Sequence, residues 1–514
     1  MNELPLLVAV PIAGAVLTLG LGTRRRLTSG VVTTALLAQL ALALVVSARA
    51  VGSAGGEATH VVGGFTAPYG IELGLDGVSA LLVVLVPATL LAVHAVRRVS
   101  RAAPAGALSL LLAAGLGGVV LARDVFTLYV FLEITGIAAY ALVAITGRGR
   151  AAVAALRYLL VGTIGATLYL LGVGYLYVAT GTLNMTDLAG RLPAIYDSPL
   201  VLGAFALVVV GLGVKVALFP LHAWQPAVYS DSPDDVSAVL AGLVSTVAAY
   251  ALFRLVADVF TAAFLASADT VRSLALAAAL VSVVAGSLLA VRQSRVKRML
   301  AYSSVAQFGL VVTAFLLVSQ TAALGGVVHL LGHAVVKVGL FVAAGAIAAR
   351  TGARTVAEYT GLADRAPVHA ALFGVLALAL VGVPPTVGFA GKWFIALGAV
   401  ETGSWGVLAV VLASTLLTLG YVVRLIERMY SPADETLTLT RWRSGTARGD
   451  PATDGGADVR SVSARAAEHP LGDARLVLAV AALAALGLGV GVGALESLLL
   501  PSLDGFAVAT GVVS

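Results

Sequence analysis

Uninterrupted apolar stretches of membrane-spanning length recur along almost the whole chain, and this pattern decides what it can fold into. A spanning helix needs about 20 predominantly apolar residues. By that rule roughly fourteen helices are predicted, near 4–22, 29–49, 76–96, 105–122, 125–146, 154–180, 200–219, 236–257, 272–291, 299–318, 322–349, 367–383 (continuing to about 400), 405–428 and 475–498. Of the 514 residues, 60% are hydrophobic and 11% charged, with a mean hydropathy of +1.01. Ordinary soluble domains carry about 25% charged residues, so a single compact soluble fold is excluded, and the apolar content excludes disorder. The expected fold class is an all-α polytopic membrane protein. Fifty-seven Gly and 17 Pro fit it, since both are commoner in membrane helices than in soluble ones. Zero Cys excludes disulfides, thiolate metal sites and cysteine-bound iron–sulfur clusters.

The basic residues set the orientation. Numbering the spans 1 to 14, loops after odd spans hold Arg24–Arg26, Arg97, Arg98 and Arg101, and Arg148, Arg150 and Arg157. The same side collects Arg292, Arg295, Lys297 and Arg298, then Arg350, Arg354 and Arg365, then eight Arg between 424 and 475. The opposite side has Arg49, Arg123, Arg191 and Arg272. Basic loops stay cytoplasmic, so both termini are expected outside a cell membrane. The +6 net charge is then a topology signal, and no nucleic-acid partner is expected. The start, Met1-Asn2-Glu3, lacks the cationic region of a cleavable signal peptide, so 4–22 is expected to be a retained span. The acidic loop 231–235 (Asp231, Asp234, Asp235) breaks the cytoplasmic pattern and is expected to meet a partner or solvent. Residues 431–473 read as a polar cytoplasmic linker without a catalytic signature.

Lysine usage is the most informative departure. Against 28 Arg the chain has four Lys; Lys297 falls in a loop, but Lys215, Lys337 and Lys392 lie inside apolar spans. Arg stays protonated, whereas a buried Lys can release its proton. A charged Lys at a helix centre costs ~2.5–3.5 kcal/mol, so each must be paired, hydrated or neutral. Snorkelling is the alternative for Lys215, near its span's end, but not for the mid-span Lys337. Glu133, in FLEITG, is the one carboxylate expected deep in a span, and Lys215 is its natural partner. A Glu–Lys pair could equally be a simple link between helices. In HLLGHAVVK, His329, His333 and Lys337 fall at i, i+4 and i+8 on one helix face, ~6 Å of rise apart. That spacing suits a water-bridged proton chain built on groups that titrate near neutrality. It also matches two metal ligands, but no third is evident, and no metal site is expected.

Two spans are interrupted: GVKVALFPLHAWQP by Pro220 and Pro226 after Lys215, and GVPPTVGFAGKWF by Pro384 and Pro385 before Lys392. Broken helices at membrane depth free backbone groups that can hold ions or water. Spans 7 and 12 are antiparallel by parity, so spans 4–8 and 9–13 can form two five-helix units of inverted topology. The expected division is 1–104 for helices 1–3, 105–258 and 259–430 for the two repeats, 431–473 for the linker and 474–514 for helix 14.

These motifs resemble the antiporter-like subunits of Mrp-type multisubunit Na+/H+ antiporters, of the membrane arm of respiratory complex I and of membrane-bound hydrogenases. The matching segments are FLEITGIAAYAL, LRYLLVGTIGATLYLLGVGYLYVATGTLNM, KVALFPLHAW, VKRMLAYSSVAQFG, HLLGHAVVKVGLF and VPPTVGFAGKW, which cover much of 120–395. Size and a fourteenth span look most like the D-type subunit of the Mrp class. The resemblance implies that Glu133 and Lys215 form an ion pair, that His329, His333 and Lys337 form a central relay, and that Lys392 is the terminal lysine. It also implies other membrane subunits as partners, a second antiporter-like one among them, with protons and Na+ as cargo, lipid around them and no cofactor or enzymatic activity in this chain. Two positions depart from the pattern: Thr246, beside Ser245, stands where relatives usually carry a lysine, and Ala227 where many carry an Asp. The link from Lys215 to Lys337 is then expected to use hydroxyls and water, with Ser245, Thr246 and His222 as relay candidates. A proton-pumping subunit of a redox-driven complex and a standalone small-solute carrier are the alternative readings.

Overall fold

The computed structural model describes residues 3–22, 24–52, 56–66, 68–96, 103–147, 149–432 and 472–506. Most of the predicted linker 431–473, together with Arg97, Arg98, Arg101 and Arg148, lies outside the described residues. Without water in the hydrocarbon core, the backbone must satisfy its own polar groups, and the apolar runs do so as helices. In chain order these are α1 (Leu6–Gly20), α2 (Arg25–Val51), α3 (Gly77–Val96), α4 (Ala103–Leu121), α5 (Val125–Ala144), α6 (Gly149–Thr180), α7 (Met185–Arg191) and α8 (Pro199–Val216). Then come α9 (Gln225–Asp231), α10 (Asp234–Val239), α11 (Ser245–Leu255), α12 (Thr261–Ser267), α13 (Asp269–Val291), α14 (Val296–Leu316) and α15 (Gln320–Thr351). The last are α16 (Leu362–Arg365), α17 (Pro367–Val381), α18 (Val387–Glu401), α19 (Trp405–Tyr430), α20 (Gly472–Val490) and α21 (Val492–Leu499).

Among the described residues, eleven helical segments are long and apolar enough to cross a membrane, a twelfth is bent by 71° between Val490 and Val492, and Leu6–Gly20 and Pro367–Val381 are shorter apolar helices. The chain is thus a nearly all-helical polytopic membrane protein, with a helix at each predicted span. Side-chain caps fix several starts: Asp124 accepts from the Phe126 and Thr127 amides at 3.1 and 2.6 Å, and Ser319 accepts from that of Ala322 at 3.1 Å. Small residues bring backbones together. A Cβ on Gly211 of α8 would stand 2.6 Å from the Gly165 carbonyl of α6, and one on Gly391 of α18 would stand 2.6 Å from the His329 Cβ of α15.

The structure departs from the sequence reading in four places. A short antiparallel hairpin, β1 (Ala58–Val61) with β2 (Glu72–Leu75), pairs Ala58 with Leu75 and Val61 with Glu72 in a fold expected to be wholly helical. Its four-residue strands are too short to announce themselves by periodicity. The last span, read as continuous, is bent. The span read as 236–257 holds two π-helical turns, Leu240–Val244 and Val256–Phe260. Finally, the acidic loop meets this chain itself: Lys297 donates to Asp234 at 2.9 Å and to the Ser232 carbonyl at 3.0 Å, while Arg295 lies 3.5 Å from Asp231. Lys297, read as a loop residue, belongs to the first turn of α14.

On the membrane face that carries the hairpin, a second ionic cluster forms. Asp76 caps α3 by accepting from the Ser79 amide at 2.9 Å and its hydroxyl at 2.8 Å, and it also pairs with Arg123 at 3.3 Å and with Arg254. Arg254 reaches Asp258 as well, at 3.2 Å, and lies over the Tyr250 ring. Burial alone would raise the Asp76 carboxyl, but the two guanidiniums and Ser79 outweigh it and hold it well below the ordinary range.

Candidate functional site

Lys215 is the next-to-last residue of α8, which stops because Ala217 turns into the left-handed region at φ 67°. The following peptide Phe219–Pro220 is cis, Leu221–Trp224 forms a single 3-10 turn, and α9 resumes with Pro226 in its first turn. The Val214 carbonyl, which takes the Ala217 amide at 3.2 Å, also accepts from the Trp224 indole at 2.9 Å, and Trp224 stacks on Tyr158 at 4.1 Å. Lys215 therefore does not snorkel. Its ammonium donates to Glu133 of α5 at 2.6 Å, so the two residues that the sequence singled out meet. A cavity of about 10 Å³ beside the pair is lined by Lys215, Thr135, Tyr140, Tyr158 and α11, room for about one water. The Thr135 hydroxyl has no partner among the described residues.

His329, His333 and Lys337 all project from α15 and are buried. Lys337 donates to the Leu300 carbonyl at 2.7 Å and to the Ser303 hydroxyl, both on α14. His329 Nε2 meets Gln307 Oε1 at 2.7 Å. Neither nitrogen of His333 has a partner among the described residues, and its ring packs edge-on against Phe308 at 4.5 Å. The three side chains share a face as the spacing predicted, but each engages α14 rather than its neighbour.

Lys392 sits in the second turn of α18, after the break at Gly382–Thr386. There Gly382 has φ 92° and the Pro384–Pro385 peptide is cis. Its ammonium donates to the Val381 carbonyl at 2.8 Å, a group the break itself has freed. The neighbouring Gly391 packs directly on His329.

Of the relay candidates, His222 is buried against Phe219 and Tyr302, with ring centroids at 5.1 and 5.8 Å. The Thr246 hydroxyl is buried and has no partner among the described residues. Ser245 belongs to a polar knot with Tyr229 and Gln225 that the sequence reading missed. Gln307, Ser303 and the Asp76–Arg123–Arg254 cluster were missed too. For Arg254 a signal existed: an arginine inside the apolar run 236–257 needs a partner.

The arrangement is a buried row of three amines, one held by a carboxylate and two by neutral acceptors. A neutral amine can still donate to a carbonyl or hydroxyl, so the two neutral sites accommodate either protonation state. Known proteins resemble the chain over most of its length. It is 46% identical to NADH-quinone oxidoreductase subunit N of Desulforudis audaxviator over 378 residues, 72% of this chain and 75% of that one. It is 31% identical to the Na+/H+ antiporter D subunit of Bacillus subtilis over 388 residues, 74% and 78% of the two chains. A chain in the structure of the Mrp complex from Dietzia sp. DQ12-45-1b superposes with a TM-score of 0.83 at 26% identity, covering 98% of this chain and 96% of that one. Residues 122–418, which hold all three lysines and Glu133, match the NADH:quinone oxidoreductase/Mrp antiporter transmembrane family, and the chain belongs to that family as an antiporter-like membrane subunit.

Proposed function

We propose that this chain is the proton-translocating subunit of a multisubunit Na+/H+ antiporter, moving protons by protonation changes at Lys215, Lys337 and Lys392. The observation that carries the reading is the Lys215–Glu133 pair at 2.6 Å, closing one end of a row of buried amines. Closure of that pair favours the charged lysine, and opening lets the proton leave toward the relay on α15. His329 and His333 lie on that relay, Lys392 terminates it, and the breaks at Pro220, Pro226, Pro384 and Pro385 supply the backbone acceptors beside its ends. The two breaks, each next to a lysine, support a division into inverted repeats at 105–258 and 259–430. The arginine bias supports cytoplasmic basic loops and external termini in a cell membrane. Partners are other membrane subunits, a second antiporter-like one included, and the Bacillus subtilis relative supports Na+ as the exchanged cation.

Lys215→Ala, with assembly intact, abolishes Na+-driven proton movement in vesicles holding the whole complex. Near-normal flux in that variant removes the mechanism. A second reading, a pump subunit of a redox-driven complex, draws on the 46% identity to an NADH-quinone oxidoreductase subunit. Subunit masses and the visible spectrum of the complex from native membranes separate the two. A colourless assembly of small hydrophobic subunits supports the antiporter, and flavin or iron–sulfur absorbance supports the pump.

A further inference from the structure

Between Lys215 and Lys337 the helices carry a compact polar knot. Tyr229 of α9 and Ser245 of α11 face each other at 3.0 Å between hydroxyl oxygens. Gln225 Nε2 donates to both, at 3.2 Å to Tyr229 and 3.4 Å to Ser245. All three side chains are fully buried. The π turn Leu240–Val244 is what brings Ser245 here. It inserts one extra residue into the turn, and a residue turns the helix by ~100°, so Ser245 faces α9. In the same turn the Leu240 carbonyl lies 3.2 Å from the Tyr229 hydroxyl.

The knot is bracketed by the two lysines. On one side, Trp224, next to Gln225, bonds the carbonyl of Val214, the residue preceding Lys215. The cavity beside Lys215 is also lined by Val244, Val247 and Ala248, which flank Ser245. On the other side, Tyr229 packs edge-on against Phe341 at 5.6 Å, one turn beyond Lys337 on α15. Its helix α9 packs on α14, whose Leu300 and Ser303 hold the Lys337 ammonium.

We propose that the Tyr229–Ser245 hydroxyl pair carries protons between Lys215 and Lys337, with Gln225 as its positioning residue. The proposal rests on the reading of the lysines as translocating groups and adds the path between two of them. In one passage, the Lys215 ammonium gives a proton to a water beside it, and that water passes one of its protons to the Ser245 oxygen. The Ser245 proton moves to the Tyr229 oxygen, and the Tyr229 proton leaves to water on the Lys337 side. Each oxygen gains one O–H bond and loses one, so neither residue changes charge. Because Gln225 donates to both oxygens, their own protons are free to point along the path. Rotation of the Tyr229 hydroxyl onto the Leu240 carbonyl interrupts it.

The test uses the whole complex in sealed vesicles with an internal pH dye and an imposed Na+ gradient. Tyr229→Phe keeps the ring and its packing but removes the hydroxyl, and proton flux is expected to fall about tenfold or more. Ser245→Ala lowers flux comparably. The double variant is no slower than the slower single one, since two groups in series fail together. Wild-type flux in Tyr229→Phe overturns the proposal, and so do losses that multiply in the double variant. Lys215→Ala in the same vesicles separates the two levels. If it transports normally, the lysine reading itself fails; if it is silent while Tyr229→Phe is normal, only the hydroxyl path fails.

Discussion

At the first broken span, Lys215 closes the helix before the break and finds a carboxylate. At the second, Lys392 stands in the helix after the break and, among the described residues, bonds the Val381 carbonyl instead. The difference lies in who takes the backbone acceptor. At the first break the Ala217 amide and the Trp224 indole both bond the Val214 carbonyl, and the lysine meets Glu133 across the bundle. At the second break the lysine itself serves the Val381 carbonyl. Two breaks that look alike in sequence therefore hold their amines in different electrostatic states, one ion-paired and one solvated by a backbone dipole.

Replacing each lysine by arginine tests this contrast with the largest expected effect. Arg is always charged and suits a carboxylate partner. Lys215→Arg should therefore leave the thermal unfolding of the solubilised complex nearly unchanged while stopping proton flux. Lys392→Arg buries a permanent charge without a counter-ion and should cost about 3–5 kcal/mol, read as lost assembly or a lowered Tm. Equal losses at the two positions would erase the distinction.

A smaller effect is expected from the residues that open each break. Gly382 has φ 92° and Ala217 φ 67°. An L-residue there costs about 1–2 kcal/mol, so Gly382→Ala should lower stability by that amount, aggravated by the Gly388 carbonyl 3.1 Å from the new Cβ. Ala217→Gly relieves the same strain but adds chain entropy of about 0.5–1 kcal/mol to be lost on folding, so its unfolding midpoint should barely move. A large loss in the second variant would mean that the Ala217 methyl, not the turn, secures the first break.

The smallest effect concerns pH. Asp76 is held well below the ordinary carboxylate range in the folded chain. Its stabilising share is therefore fully present above its unfolded value of about 3.9 and is lost only as pH falls below that, through the folded value. Between pH 5 and 9 the Asp76 carboxylate itself should therefore contribute no slope to stability. An Asp76→Asn complex whose stability changed slope with pH within that window, relative to the parent, would contradict this assignment.

Much of the architecture was legible because a bilayer leaves a chain few choices. Runs of apolar residues must become helices, and the proline pairs Pro220/Pro226 and Pro384/Pro385 mark where two of them break, whereas the single Pro11 and Pro87 stay inside α1 and α3. The Lys215–Glu133 contact was legible for a related reason: a lone buried carboxylate and a buried amine have nowhere better to go. Less was legible where the partner is neutral. Nothing in the spacing of HLLGHAVVK says that Lys337 takes Leu300 and Ser303, or that His329 takes Gln307, since any of many carbonyls and hydroxyls would serve. The acidic loop was misread because Asp234 and Lys297 are distant in sequence and each looks solvated alone. The hairpin and the π turns were missed because a four-residue strand and one added residue leave no period to detect.

Sequence by itself thus determined the membrane-spanning helical fold, the two breaks and the identity of the three buried amines, because those depend on the cost of placing each residue in hydrocarbon. Tertiary structure alone decided which acceptor each amine meets and how Ser245 comes to face Tyr229. Those outcomes depend on helix rotation and crossing, where one extra residue in a turn redirects a side chain by ~100° at no visible cost in composition.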